Sequence, residues 1–393
     1  MLRSIELFHV VMPLRKPIAH ASHTRVDSDN LVVRATLDDG TVGYGEGVPR
    51  EYVTGETIAS NFEDLAGVDA ATALGRPESF AEAVHRIAIV SVPASLGDYR
   101  GMGSNAARCA LEMALLDAVG RRFGASVGDA VRLMNHSSHI RGHPSPMPVC
   151  YSGAITAETR KKERISAWKM RLYGFHQVKI KVGVDGQDDP ARLASFRKIL
   201  GRKVDIRLDA NEAWPAAGLV ERVAPLLPFR PSALEQPVPH AEVDELAALR
   251  PLLGVPIMLD ESLCGFPDAM KAIHRGTADI LNIRLSKCGG FAHSIRIMAA
   301  ALSHGLGVQL GCHPGESGLL SAAGRHLASN VGPFRYIEGS YDRHVLTRNL
   351  IKQDITFGYG GRAPALRGPG LGVEVDVAAL ESLTVDRRLI TYG

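Results

Sequence analysis

Two lysines and three acids, each at the end of a short hydrophobic run, carry the chemistry legible in this chain. The acids are Asp209 in Val204-Asp205-Ile206-Arg207-Leu208-Asp209, Glu235 in Ala233-Leu234-Glu235, and Asp260 in Pro256-Ile257-Met258-Leu259-Asp260. They lie 26 and 25 residues apart. One strand plus one returning helix takes about that many residues, since ~250 residues build an eight-unit barrel. Carboxylates at the C-terminal ends of neighbouring parallel strands project into the mouth of such a barrel, and three of them repel unless a cation sits between. All-oxygen ligation favours a hard ion, so Mg²⁺ is expected, with Mn²⁺ as its substitute. One unit upstream, Lys179 and Lys181 share a strand face, leaving Val178, Ile180 and Val182 to the opposite face. Adjacent ammonium groups lower each other's pKa, which makes a lysine able to act as a base near neutral pH. Any one of these acids alone would read as a helix cap, and a lone Lys-x-Lys as a solvated pair. Their common phase in successive units argues for a site.

The elements that must hold these residues recur with the same beat. Hydrophobic runs end at Lys181, Arg284, the Gly311-Cys312-His313 segment and Glu338 as well as at the three acids. With a strand near Cys150 they make eight units, the number that closes a barrel. Upstream, residues 30–37 and 41–46 read as a hairpin across Asp38-Asp39-Gly40. A helix follows Ser104, its expected N-cap, with Leu111, Ala114, Leu115 and Ala118 on one face. The predicted fold is α/β: an N-terminal α+β capping domain over residues 1–130, a (β/α)₈ TIM barrel over 145–360, and a tail over 361–393 that returns to the capping domain. Residues 136–148 are the expected linker, and residues 372–375 the expected returning strand.

Bulk properties remove several classes. The chain has 393 residues, 45% hydrophobic and 22% charged, which suits a folded enzyme rather than a disordered chain. A net charge of +3 with a pI near 8.6 is too mild to imply nucleic acid. No apolar run approaches the ~20 residues of a membrane span, and Met1-Leu2-Arg3-Ser4-Ile5-Glu6 enters a strand directly. Five scattered cysteines without a Cys-x-x-Cys pair argue for a reducing compartment, so a cytoplasmic enzyme is expected.

At this point the chain resembles the enolase superfamily, and within it the muconate-cycloisomerase-like members of the mandelate racemase/muconate lactonizing enzyme family. The resemblance rests on Lys179-x-Lys181, Asp209-Ala210-Asn211, Glu235-Gln236-Pro237, Asp260-Glu261-Ser262 and the Gly289-Gly290 pair. It implies an enolase-like modified barrel, a small-molecule carboxylate substrate, a homo-oligomer, and proton abstraction α to the carboxylate with Mg²⁺ stabilising the enolate. It makes Lys181 the general base or acid, Lys179 its modulator, and Asp209, Glu235 and Asp260 the metal ligands. It also makes residues 45–57, with Arg50 and Tyr52, a specificity loop, and residues 18–29 a lid.

The far side of the site departs from the pattern. Muconate cycloisomerases and dipeptide epimerases carry a lysine five residues before the first glycine of the pair, and mandelate racemases an aspartate; here it is Arg284. A guanidinium stays protonated and exchanges no proton, so Arg284 can only hold a carboxylate or stabilise negative charge. His313 falls where mandelate racemases carry their catalytic histidine, and Glu338 is a candidate hydrogen-bonding acid at the eighth strand. Glu338-Gly339-Ser340 replaces the Asp-x-Asp expected of a dipeptide epimerase. One-base chemistry, a cycloisomerisation or β-elimination through Lys181, is therefore the leading expectation. A racemase or epimerase using Lys181 and His313 is the alternative, and a non-catalytic binding protein on the same scaffold a third.

Overall fold

A computed structural model of the chain describes residues 1–19, 24–93, 102–156 and 159–392. An antiparallel sheet opens the chain: Leu2–Ala19 pairs with Thr24–Leu37, and that strand with Val42–Gly47. Thr384–Thr391 joins the other edge, with Ile5 opposite Ile390. The returning strand is therefore this segment and not residues 372–375, where Val375 makes only a single bridge to Ile351. Four β-branched residues (Thr384, Val385, Ile390 and Thr391) suit Thr384–Thr391 to a strand, whereas Gly372 takes a positive φ of 67°. The lid expected at residues 18–29 falls partly outside the described residues.

The helix Asn105–Phe123 packs across this sheet, and its approach is equally close at Gly43 and at Gly45. A Cβ on Gly45 would come within 2.1 Å of Ala110 O, so only glycine lets strand and helix touch. Ser104 stands at the N-cap but makes no side-chain cap bond; its hydroxyl accepts from Asn61 Nδ2 at 3.1 Å instead. The buried Glu56 carboxylate takes the Ala106 amide at 2.7 Å and Asn61 Nδ2 at 3.2 Å in its place. Burial raises the Glu56 pKa from 4.5 to about 7, against the lowering by these hydrogen bonds. An acid whose folded pKa lies above its unfolded one binds its proton more tightly when folded, so stability falls as pH rises through that interval. The slope is at most roughly 1.4 kcal/mol per pH unit. Glu56→Gln is expected to flatten this decline in urea melts between about pH 5 and pH 7. An equal decline in the variant would acquit Glu56.

Eight parallel strands follow in sequential order: Gly153–Ile155, Gln177–Lys181, Asp205–Asp209, Leu234–Glu235, Ile257–Leu259, Ile280–Ile283, Gly307–Leu310 and Tyr336–Ile337. The two ends meet where Ser152 N donates to Ile337 O at 2.8 Å, so the sheet curls back on itself as a barrel. The first strand is Gly153–Ile155 and not the run at Cys150. Val149–Cys150 instead pairs antiparallel with Arg362–Ala363. Within the expected linker, Arg141–Gly142 pairs with Val331–Gly332. Among the described residues no helix is long and apolar enough to cross a membrane.

Cap and barrel are joined at the Gly289-Gly290 pair. Asn105 Nδ2 donates to Cys264 O at 2.6 Å and Lys287 O at 2.9 Å, and Arg108 donates to Gly289 O. Glu112 accepts from the amides of Phe291 and Ala292. A Cβ on Gly290, whose φ is 90°, would lie 2.1 Å from Glu112 Oε2, which is why the joint needs glycine.

Candidate active site

Strand register assembles the site. Lys181 stands opposite Asp209, and Asp209 opposite Glu235. Met258 is opposite Glu235, so Asp260 follows two residues later on the same inward face. Beneath this row, Ala233, Met258, Ile280 and Tyr336 form a closed apolar floor inside the barrel. The motif residues that follow the strand ends lock the row in place. Gln236, held at a φ of 37°, accepts from Asp260 N at 3.0 Å and Ser262 N at 3.2 Å. Asn211, at a φ of 44°, donates to Glu261 Oε1 at 3.3 Å. Such conformations cost energy and persist only where neighbours over-determine them.

The two lysines have opposite electrostatics, contrary to mutual lowering. Lys179 Nζ lies 3.0 Å from Glu338, 3.2 Å from Asp209 and 3.8 Å from Glu235. Burial alone would depress Lys179, but Glu235, Glu338 and Asp209 outweigh it and hold its pKa well above the usual value. Lys181 is half-buried, and burial, with Lys179 adding to it, lowers its pKa against the pull of Asp209 and Glu261. Lys179 is thus a fixed cation and Lys181 the lysine able to lose its proton.

Glu338 binds both Lys179 and Arg207, and this ion network occupies both of its oxygens. Arg207 is fully buried, donates to Ser152 Oγ at 3.1 Å and stacks 4.7 Å from the Tyr336 ring centroid. The sequence reading passed over Arg207, although it sits at the inward phase two residues before Asp209 and opposite Lys179. It also passed over Lys287 as a partner for the acids. The helical turn Leu285–Cys288 folds Lys287 back so that its Nζ meets Asp260 Oδ1 at 2.7 Å and Asn282 O at 3.1 Å. Arg284 binds the other oxygen of Asp260. Burial would raise the Asp260 pKa, but Arg284 and Lys287 together bring it below the ordinary value.

The three acids suit a hard divalent cation in donor type and in one geometric respect. Glu235 Oε1 accepts from Asn282 Nδ2 at 2.8 Å, while its Oε2 is buried and accepts no hydrogen bond, with Lys179 Nζ and Arg207 Nε no nearer than 3.8 and 3.9 Å. A buried carboxylate oxygen without a donor is the signature of a missing partner. Burial, reinforced by Asp209, Glu338 and Asp260, pushes the Glu235 pKa well above normal despite Lys179. Among the described residues no three acidic, imidazole or thiol groups converge tightly enough to grip an ion as they stand. Lys179, Arg284 and Lys287 take up the oxygens of Asp209 and Asp260.

His313 follows strand seven, on the other side of the acid row from Lys181. It is buried, and its Nδ1 has no hydrogen-bond partner. Burial and then Arg284, Arg50, Lys287 and Arg25 hold its pKa well below the usual imidazole value, so the ring is neutral. Arg50 comes from the capping segment and is buried there; Tyr52 lies beside it, half-buried in the short helix Glu51–Thr54.

Comparison with known proteins gives the family. Residues 2–131 match the mandelate racemase / muconate lactonizing enzyme N-terminal domain, and residues 163–379 the enolase C-terminal domain-like model. The chain belongs to the mandelate racemase/muconate lactonizing enzyme family. As a member of that family it is an enolase-superfamily enzyme. It is 30% identical to an L-Lys-D/L-Arg epimerase from Methylococcus capsulatus, over 92% of this chain and 95% of that protein. It is 26% identical to an N-succinyl-L-Arg/Lys racemase from Bacillus cereus over 98% and 99% of the two chains, and to muconate cycloisomerase 1 from Rhodococcus opacus over 97% and 98%. The crystal structure of the B. cereus racemase superposes with a TM-score of 0.82 at 24% identity, covering 99% of both chains.

Proposed function

We propose that this enzyme is a racemase or epimerase that moves a proton at the α-carbon of a small carboxylate, with Lys181 on one face of that carbon and His313 on the other. The observation that carries the reading is the pair of neutralisable bases flanking one acid row. Lys181 on strand two is the inward lysine that burial makes titratable, and His313 beyond strand seven is held neutral, the form that accepts a proton. Relatives of this chain include an N-succinyl-L-Arg/Lys racemase, a hydrophobic dipeptide epimerase and an L-Lys-D/L-Arg epimerase.

Asp209, Glu235 and Asp260 are the residues we assign to a divalent cation, Mg²⁺ or Mn²⁺. Dipeptide epimerases from Cytophaga hutchinsonii and Enterococcus faecalis have been solved complexed with Mg. Such an ion supplies a Lewis acid that offsets the negative charge developing on the substrate carboxylate. The chain's own residues do the rest. Lys179 stays cationic beside that carboxylate, Glu338 and Arg207 fix Lys179 in place, and Lys181 takes the proton.

Arg284 favours a second reading, in which Lys181 works alone in a cycloisomerisation or β-elimination. A guanidinium bound to Asp260 cannot serve as a second base. One experiment separates the two. In D₂O the racemase exchanges the α-proton of either enantiomer with inversion. His313→Asn is then expected to slow inversion by about 10²–10⁴-fold, while exchange continues for the enantiomer whose α-proton faces Lys181. Inversion at the parental rate in that variant would remove His313, and exchange with strict retention in the parent would favour the one-base reading.

A further inference from the structure

We propose that the flank of the barrel around the helix Arg160–Leu172 docks on an anionic lipid surface. Ile165, Trp168 and Leu172 recur at steps of three and four residues, so they form one stripe along this helix. At 3.6 residues per turn the stripe stands opposite the buried Glu163 and Ala167 and points into solvent. Trp168 is 46% exposed and Leu172 70%. The stripe continues past the end of the helix. Tyr173 is exposed there, and Gly360 N donates to its carbonyl at 2.5 Å, which brings Tyr359 alongside. The Tyr359 ring lies so close to Gly174 that a Cβ on that glycine would meet it at 2.5 Å, yet Tyr359 is 72% exposed. Single apolar side chains on a surface need no explanation, but a ridge of them drawn from two segments marks a surface of interaction.

Charge names the occupant. Lys161 stands one turn before Ile165 in the stripe, Arg164 and Arg171 border it on one side and Lys169 on the other. Arg171 lies 5.7 Å over the Trp168 ring and also binds Ile199 O. That contact sets the end of the helix Asp189–Leu200 beside the ridge, where Lys198, Arg202 and Lys203 are exposed. Between Arg160 and Val184 the one acid is Glu163, buried against Arg192, and residues 190–204 hold none. A second copy docked about a two-fold axis would set these cations against their own images, which argues against it. A helix exterior is a ridge rather than a groove, so it suits a surface that yields around it. Aromatic and aliphatic side chains bordered by Lys and Arg are the composition that settles into the headgroup boundary of an anionic bilayer. Barrel helices run back from the mouth, so Leu172, Tyr173 and Tyr359 lie at the end away from Lys181 and the acid row. Docking there leaves the mouth uncovered.

Sedimentation of the full-length protein with vesicles tests this, pure phosphatidylcholine being compared with phosphatidylcholine that carries about 30% phosphatidylglycerol. The anionic vesicles are expected to bind at least about tenfold more tightly, and about 0.5 M salt should remove most of that preference. Trp168 is the exposed one of two tryptophans, Trp214 being buried, so binding should shift the intrinsic fluorescence to the blue. Trp168→Phe should keep the binding and lose the shift. Trp168→Ser with Leu172→Ser, and separately Arg164→Glu with Lys169→Glu, should each weaken anionic binding by about tenfold or more while leaving Tm and α-proton exchange at parental values. Equal binding to the two kinds of vesicle, or a preference that survives both pairs of substitutions, overturns the proposal. So does concentration-dependent dimerisation that Trp168→Ser abolishes, which gives the ridge to a second copy. Binding to polyglutamate as tight as to vesicles, without a blue shift, overturns it in favour of an acidic protein. None of these readouts involves Lys181 or His313, so failure here leaves the catalytic reading standing.

Discussion

Replacing Lys181 with alanine is expected to lower the rate of α-proton exchange by about 10³–10⁴-fold while sparing divalent-ion binding. General-base catalysis is worth about 10²–10⁴-fold, and no other described residue on that face can take over. Lys179, the nearest amine, is held cationic by Glu235, Glu338 and Asp209 against the effect of its burial. Arg207 and Arg284 never lose their protons under useful conditions. Removing Lys181 also removes one positive charge opposite Asp209, so affinity for Mg²⁺ should stay level or rise slightly. Deuterium incorporation in single-turnover experiments and Mg²⁺ titration by calorimetry measure the two quantities separately. Exchange within tenfold of the parent would take the base assignment away from Lys181. Loss of Mg²⁺ binding together with activity would indicate a collapsed site rather than a missing base.

Much of this site was legible because strand alternation is a strict code. Lys179, Lys181, Asp209, Glu235, Asp260 and Glu338 could all be assigned an inward phase from residue spacing. What spacing cannot convey is which charges meet across the barrel. Lys179 stays charged against its burial because Glu235, and then Glu338, 159 residues later, reach it. Mutual repulsion between Lys179 and Lys181, the only interaction visible locally, gives the wrong sign for Lys179. Lys287, three residues past Arg284, reaches Asp260 only because one helical turn, Leu285–Cys288, reverses its direction. Ser104 was a sound cap by residue type, and a buried Glu56 from the connection between Thr54 and Ile58 displaced it. Local propensity decided where elements begin, and long-range ion pairs decided what each side chain does. Spacing alone does not choose between one-base and two-base chemistry, for the same reason. Arg284 was visible in the sequence, but the neutral state of His313 depends on its burial and on four cations drawn from three separate segments.

Stripping divalent ions should abolish α-proton exchange by about 10³-fold or more, and Mg²⁺ or Mn²⁺ should restore it. The α-proton of a carboxylate is too weakly acidic for an amine unless the developing charge is offset. The cations already in the site do not meet that need, since Arg284 and Lys287 are bound to Asp260, and Lys179 to Asp209 and Glu338. A readout independent of turnover comes from stability, because an ion that binds only the folded state adds about 2.7 kcal/mol at 100 times its Kd. Mg²⁺ should therefore raise Tm in the parent. Glu235→Gln keeps the shape of the side chain and its acceptor toward Asn282 but loses the charge, so it should lose most of that rise. Full activity after exhaustive chelation, or a parent Tm indifferent to Mg²⁺, would mean that the acid row serves only as counter-charge to Lys179, Arg207 and Arg284. Glu235 weighs against that outcome, because its buried Oε2 makes no hydrogen bond and stands 3.8 Å from Lys179 Nζ and 3.9 Å from Arg207 Nε, too far for the close pairing of a purely structural counter-ion.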